Sequence, residues 1–87
     1  MTILKQDEIK KIFVDLGYKV SINANEYVYE KNNEFYKLTL VEELNGYVVE
    51  FTDSKEEANN NLFEDSDVIR NDCDKNTLVS SIIKYFK

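Results

Sequence analysis

Glu64, Asp65, Asp67, Asp72 and Asp74 crowd five carboxylates into a short stretch, the densest set of reactive side chains in the sequence. Carboxylates hold hard cations, work as acid–base pairs, or present negative charge to a partner. A calcium loop of the EF-hand type fails in both available registers. Starting at Asp65, it puts Ile69 at a ligand position and Arg70 where the turn glycine belongs; starting at Asp72, it puts Thr77 at the glycine and Ile83 at the closing glutamate. Acid–base work needs a cleft that fixes two carboxyls apart, and 87 residues with short polar loops offer little room for one. Presentation of charge is the remaining reading.

Other reactive types are scarce. There is no histidine, so neither a Ser-His-Asp nor a Cys-His arrangement is possible, and the usual zinc ligand is missing. Gly17 and Gly46 are the only glycines, too few for a phosphate-binding loop or a dinucleotide fingerprint. Cys73 is alone, which excludes an internal disulfide and fits a reducing compartment; no basic neighbour or imidazole activates it. Ser80-Ser81 lacks a basic partner and reads as a small-residue contact. No catalytic residue, metal site or cofactor is expected.

Charge is distributed unevenly. Between Glu42 and Asp74 eleven acids face only Lys55 and Arg70, a formal −9, whereas Met1 to Val41 balances six acids against six lysines and the tail from Lys75 carries +3. Such a field repels nucleic acid and anionic membrane and attracts cationic protein surfaces. The six tyrosines do not suggest a base-stacking platform, because four of them belong to the core assigned below.

The elements that must position these groups follow from hydrophobic spacing. Ile9, Ile12, Phe13 and Leu16 recur at helical intervals, predicting a helix from Ile3 to Leu16 with Thr2 as cap and Gly17 as terminator. Tyr18, Val20 and Ile22 then alternate with polar residues as a strand. A second strand covers Glu26 to Lys31, a third Glu34 to Glu43 and a fourth Tyr47 to Asp53, joined by turns at Asn32-Asn33 and Asn45-Gly46. Two-residue turns at both places would set Tyr29 opposite Tyr36, Tyr27 opposite Leu38, Leu40 opposite Phe51, Glu42 opposite Val49 and Leu44 opposite Tyr47. One face then gathers Tyr27, Tyr29, Tyr36, Leu38, Leu40, Tyr47, Val49 and Phe51 as the core. The other face carries Val28, Phe35, Val41 and Val48 among charges, either β-formers on a solvated surface or a docking patch.

Ser54 and Glu57 make a capping box for a second helix, Lys55 to Leu62, with Ala58 and Leu62 inward. Glu64 to Asp67 reads as a loop and Val68 to Arg70 as a short fifth strand. A third helix starts at Asp74 or Asn76 and buries Leu78, Val79, Ile82, Ile83 and Phe86. The plan is one α+β domain over residues 1–87: an N-terminal helix, a four-stranded antiparallel meander, then two helices, with all helices on one sheet face. No apolar run is long enough to cross a membrane, and acids appear too early for a signal peptide, so a cytoplasmic protein is expected.

Size, acidity and this plan resemble two groups of small bacterial inhibitors, carried chiefly by the passage Glu56-Glu57-Ala58 to Leu62-Phe63-Glu64-Asp65 after the strand Tyr47 to Phe51. One group is the immunity proteins that neutralise toxins; the other is phage anti-CRISPR and related anti-defence proteins, some of which mimic DNA. The local −9 imbalance and the lack of active-site residues, with this resemblance beside them, lead to the expectation of a non-enzymatic inhibitor that occludes a basic surface of a toxin, nuclease or CRISPR effector. Glu56, Glu57, Glu64, Asp65, Asp67, Asp72 and Asp74 would supply charge and Phe63 an apolar anchor. For the DNA mimic, carboxylates would imitate a duplex that bears one negative charge per ~1.7 Å of axis. A third reading is an adaptor that docks or dimerises through Val28, Phe35, Val41 and Val48.

Overall fold

The computed structural model describes residues 1–87. The chain enters extended. Thr2 N–H donates to the Asn71 carbonyl, Asn71 Nδ2 donates back to the Thr2 carbonyl, and Leu4 N–H donates to the Tyr47 hydroxyl, each at 2.9 Å. Asn71 thereby takes the Thr2 carbonyl, the first acceptor of a helix starting at Ile3, and α1 covers Gln6–Asp15 instead. Lys5 stands at the cap position in place of Thr2, and the Glu8 carboxylate accepts its N–H at 3.0 Å. Gly17, at φ 89°, ends the helix in the left-handed conformation expected of it.

Five strands follow: β1 (Lys19–Asn23), β2 (Glu26–Lys31), β3 (Glu34–Val41), β4 (Gly46–Thr52) and β5 (Glu64–Arg70). They form one antiparallel sheet in chain order. The β1–β2 and β2–β3 turns are two-residue loops in which Ala24, Asn25, Asn32 and Asn33 all take positive φ, from 52° to 63°. That backbone matches the twist of the strands it joins, and Tyr29 pairs with Tyr36 as the sequence predicts. The β2–β3 ladder runs only from there to the turn, so the expected Tyr27–Leu38 pair does not form. Lys37 Nζ reaches Glu26 at 3.2 Å and Asn61 at 2.8 Å where the strands part.

The β3–β4 connection departs further from expectation. Glu42–Leu44 closes one 3₁₀ turn, and Asn45 at φ 51° completes a four-residue loop. Leu40 therefore faces Tyr47, Leu38 faces Val49 and Tyr36 faces Phe51. Compared with the two-residue turn, the register slides by an even number of residues, so every side chain keeps its predicted face. Gly46 is needed for a reason other than φ. A Cβ there would lie 2.5 Å from the Ile69 carbonyl oxygen.

One face of the sheet holds the main core. Tyr29, Leu38, Tyr47, Val49 and Ile69 pack against Leu4, Ile9 and Phe13 and against Leu78, Ile82 and Phe86 of α3 (Lys75–Phe86), with Tyr27, Tyr36 and Leu40 at the margin. Phe13 stacks on Tyr29 with ring centroids 3.8 Å apart and meets Phe86 at 4.6 Å. Burying each such ring stabilises the fold by about 1.5–3 kcal/mol.

The α+β plan stands, and three details are corrected. Helix α2 spans only Lys55–Asn59 and lies over the opposite face, where Ala58 packs on Val28 and Phe35. Asn61 adopts positive φ and turns the chain out of the helix, leaving Leu62 59% exposed rather than inward. Glu64 to Asp67 is strand, not loop, because β4 offers ladder partners to Glu64, Asp65 and Asp67. Finally, Val28 and Phe35 are buried at 3% and 6% beneath α2, so the outer apolar face available for docking is smaller than its sequence suggests.

Candidate functional site

Strand β5 is an edge, hydrogen-bonded to β4 alone. Its first half reads Glu64, Asp65, Ser66, Asp67, all exposed. The three acids are held in a strand by partners across the ladder: Glu64 faces Phe51, Asp65 faces Glu50 and Asp67 faces Val49. Ser66 is the extra residue of a bulge at Val49/Glu50, and its hydroxyl donates to the Val49 carbonyl at 3.1 Å. Bulges and charges are common on sheet edges, where they discourage unwanted strand pairing.

Asp65 directly opposes Glu50, a like-charge pair that costs free energy at a cross-strand position. The Thr39 hydroxyl donates to Glu50 at 2.5 Å and partly offsets that repulsion. Glu50 thus joins the acidic group although sequence reasoning placed it only on the outer face. A strand assignment for Glu64 to Asp67 would have exposed the pairing. The Asp67 carboxylate accepts the N–H of Val68 at 2.9 Å.

Glu56 and Glu57 are exposed on α2, which follows the end of β4 where Glu64 begins β5. The Glu57 N–H donates to the Ser54 side chain at 3.2 Å as expected, but the return half of the capping box does not form: the Ser54 N–H donates to the Thr52 hydroxyl at 3.2 Å, and the Glu57 carboxylate accepts from that same hydroxyl at 2.9 Å. Phe63 packs half-buried on the Val28–Phe35–Ala58 cluster, with Lys37 Nζ 4.8 Å above its ring. It clasps the outer face, and only its remaining surface is open to a partner.

Asp72 and Asp74 lie elsewhere. They follow Arg70 at the far end of β5, about 20 Å from Glu64 at ~3.3 Å per strand residue. Asp72 pairs with Arg70 at 2.5 Å. Asp74 caps α3, its carboxylate accepting the Thr77 N–H at 2.7 Å, and that bond holds its pKa below the ordinary 3.8. Glu8 is likewise held below 4.5, first by Lys75 and then by the Lys5 N–H. The structure therefore places Glu64, Asp65 and Asp67 on one sheet edge beside Glu50, with Asp65 and Glu50 on the outer face and Glu64 and Asp67 on the face of Phe51 and Val49; it places Glu56 and Glu57 toward the same end and separates Asp72 and Asp74 from them.

Ion pairing is sparse on this side. The pairs in the molecule are Lys11–Asp15, Lys37–Glu26, Arg70–Asp72 and Lys75–Glu8. Of the eleven acids from Glu42 to Asp74, only Asp72 has a cation within reach. No three metal-ligating side chains converge, and no helix is long and apolar enough to cross a membrane. No family model, curated protein or solved structure matches the chain.

Proposed function

We propose that this protein is a non-enzymatic inhibitor of the toxin-neutralising type, acting in the cytoplasm by covering a basic functional surface of a partner protein. One observation carries the reading: ten of the eleven carboxylates between Glu42 and Asp74 have no cationic partner within the molecule. Solubility alone is served by charges of both signs interspersed. A field this one-sided speeds encounter with a cationic surface and repels nucleic acid.

Glu64, Asp65 and Asp67, with Glu50, form its centre, flanked by Glu56 and Glu57. Asp72 and Asp74 contribute less, because one is neutralised by Arg70 and the other is committed to capping α3. The test is affinity capture on immobilised protein at low salt, followed by association kinetics of the captured partner with wild type and with E64K/D65K/D67K. Association of the wild type should slow as salt rises, and the charge-reversed variant should associate about 10–10³-fold more slowly. Equal association rates for the two proteins would overturn the assignment.

A further inference from the structure

The free side of β5 has a feature that the acids alone do not describe. Val68 faces Val48 across the ladder, yet its N–H is held by the Asp67 carboxylate and not by β4. In an antiparallel pair the hydrogen-bonding direction alternates along the strand, so this amide points out of the sheet. Beside the edge runs a groove of about 390 Å³ between β5 and α3, walled by Val68 and Cys73 on one side and by Thr77, Ser81 and the exposed Tyr85 on the other. An open strand edge alongside a helix suits an extended peptide: the backbone completes a ladder while alternate side chains enter the groove.

Charge selects the occupant. Two copies of β5 laid edge to edge in parallel, or antiparallel about Asp65 and Ser66, would set the acidic half of one against that of the other, which like-charge repulsion penalises. A strand bearing lysine or arginine gains instead. Arg70, the one cation on β5, is neutralised by Asp72. We infer that β5 is a strand-addition site, on which an extended, lysine- or arginine-bearing segment of a partner protein lies as a sixth strand. Its carbonyl takes the Val68 N–H from Asp67, which turns to a cationic side chain. This rests on the acidic-inhibitor reading and adds how the partner docks.

The test is an NMR titration at low salt of the labelled protein with a capped octapeptide alternating lysine and valine. Two further peptides are N-methylated at every second amide, one in each register. Shift changes should concentrate on Glu64–Arg70, and exchange of the Val68 amide should slow. One methylated register should bind at least about tenfold more weakly while the other binds normally, since a lost backbone hydrogen bond is worth about that factor. Val68→Pro removes an outward amide without breaking the β4–β5 ladder and should weaken binding similarly, and the methylated peptides decide the matter if that variant folds poorly. Equal binding of both methylated peptides, shifts centred on another element, or no binding would each overturn strand addition. If E64K/D65K/D67K binds the lysine peptide as well as wild type does, the acidic reading itself falls.

Discussion

Tyr29 and Tyr47 lie on the same face of the sheet and differ in what their hydroxyls do. Tyr47 accepts the Leu4 N–H at 2.9 Å and so anchors the N-terminal segment. The Tyr29 hydroxyl is buried with no partner, and burial pushes its phenol far above the ordinary range. Removing a bonded buried hydroxyl strands its donor, whereas removing an unbonded one relieves a desolvation cost. Tyr47→Phe is therefore expected to cost about 1–3 kcal/mol and Tyr29→Phe to stabilise by up to about 1 kcal/mol, by urea denaturation. A clear loss in Tyr29→Phe would show that its hydroxyl is bonded. Gly46→Ala should cost about 1–3 kcal/mol, because its Cβ would press on the Ile69 carbonyl and force β5 away from β4. The sequence marked Gly46 as special through the Asn-Gly turn signal, but its reason, contact with a strand a score of residues later, is tertiary. Asn71 gave no signal at all: it is fully buried, and its backbone and side-chain groups tie Thr2 and Asn45 together across the chain.

Among the elements, legibility followed how local the determining physics is. Strands β2 to β4 and their core face were readable because period-two patterning and the Asn-Asn turn are short-range signals. The face assignment survived the error at Asn45-Gly46 only because the slip was even. The second half of β5, Val68 to Arg70, was readable as a short strand, but its first half was hidden because Glu64 to Asp67 has poor strand propensity and is held by β4. Helix α2 went to the wrong face because its single buried residue, Ala58, carries no directional pattern. Helix α3 was plain, and its start at Asp74 has a pH consequence. The Thr77 N–H lowers the folded pKa of Asp74 below its ordinary 3.8. A depressed carboxylate contributes stability above the unfolded pKa, and that contribution disappears as pH falls through the folded value. Asp74→Ala should therefore melt below wild type at neutral pH, and the gap should close as pH falls below the ordinary 3.8 and through the lowered folded value. A gap that persists in acid would mean that the cap acts without its charge.

For the whole molecule, the acidic side has two physical roles that one variant separates. Edge strands invite pairing with other chains, and charge is among the devices that prevent it. Strand β5 is one of two edges, is seven residues long, and carries three exposed carboxylates and a bulge. If the acids guard this edge, replacing Glu64, Asp65 and Asp67 with threonine removes the repulsion and raises strand propensity together. The variant should then self-associate with rising concentration in sedimentation velocity while wild type does not. Salt should push wild type in the same direction, since the screening length falls to ~3 Å at 1 M. Partner binding should weaken at the same time if these acids also steer association. A variant that stays monomeric yet loses its partner would leave edge protection to the bulge and assign the carboxylates to binding alone. One that self-associates and keeps its partner would reduce the acidic strand to a guard. The inhibitor reading expects both losses from the same three residues, because a field that excludes a second copy of β5 is the field that admits a basic strand.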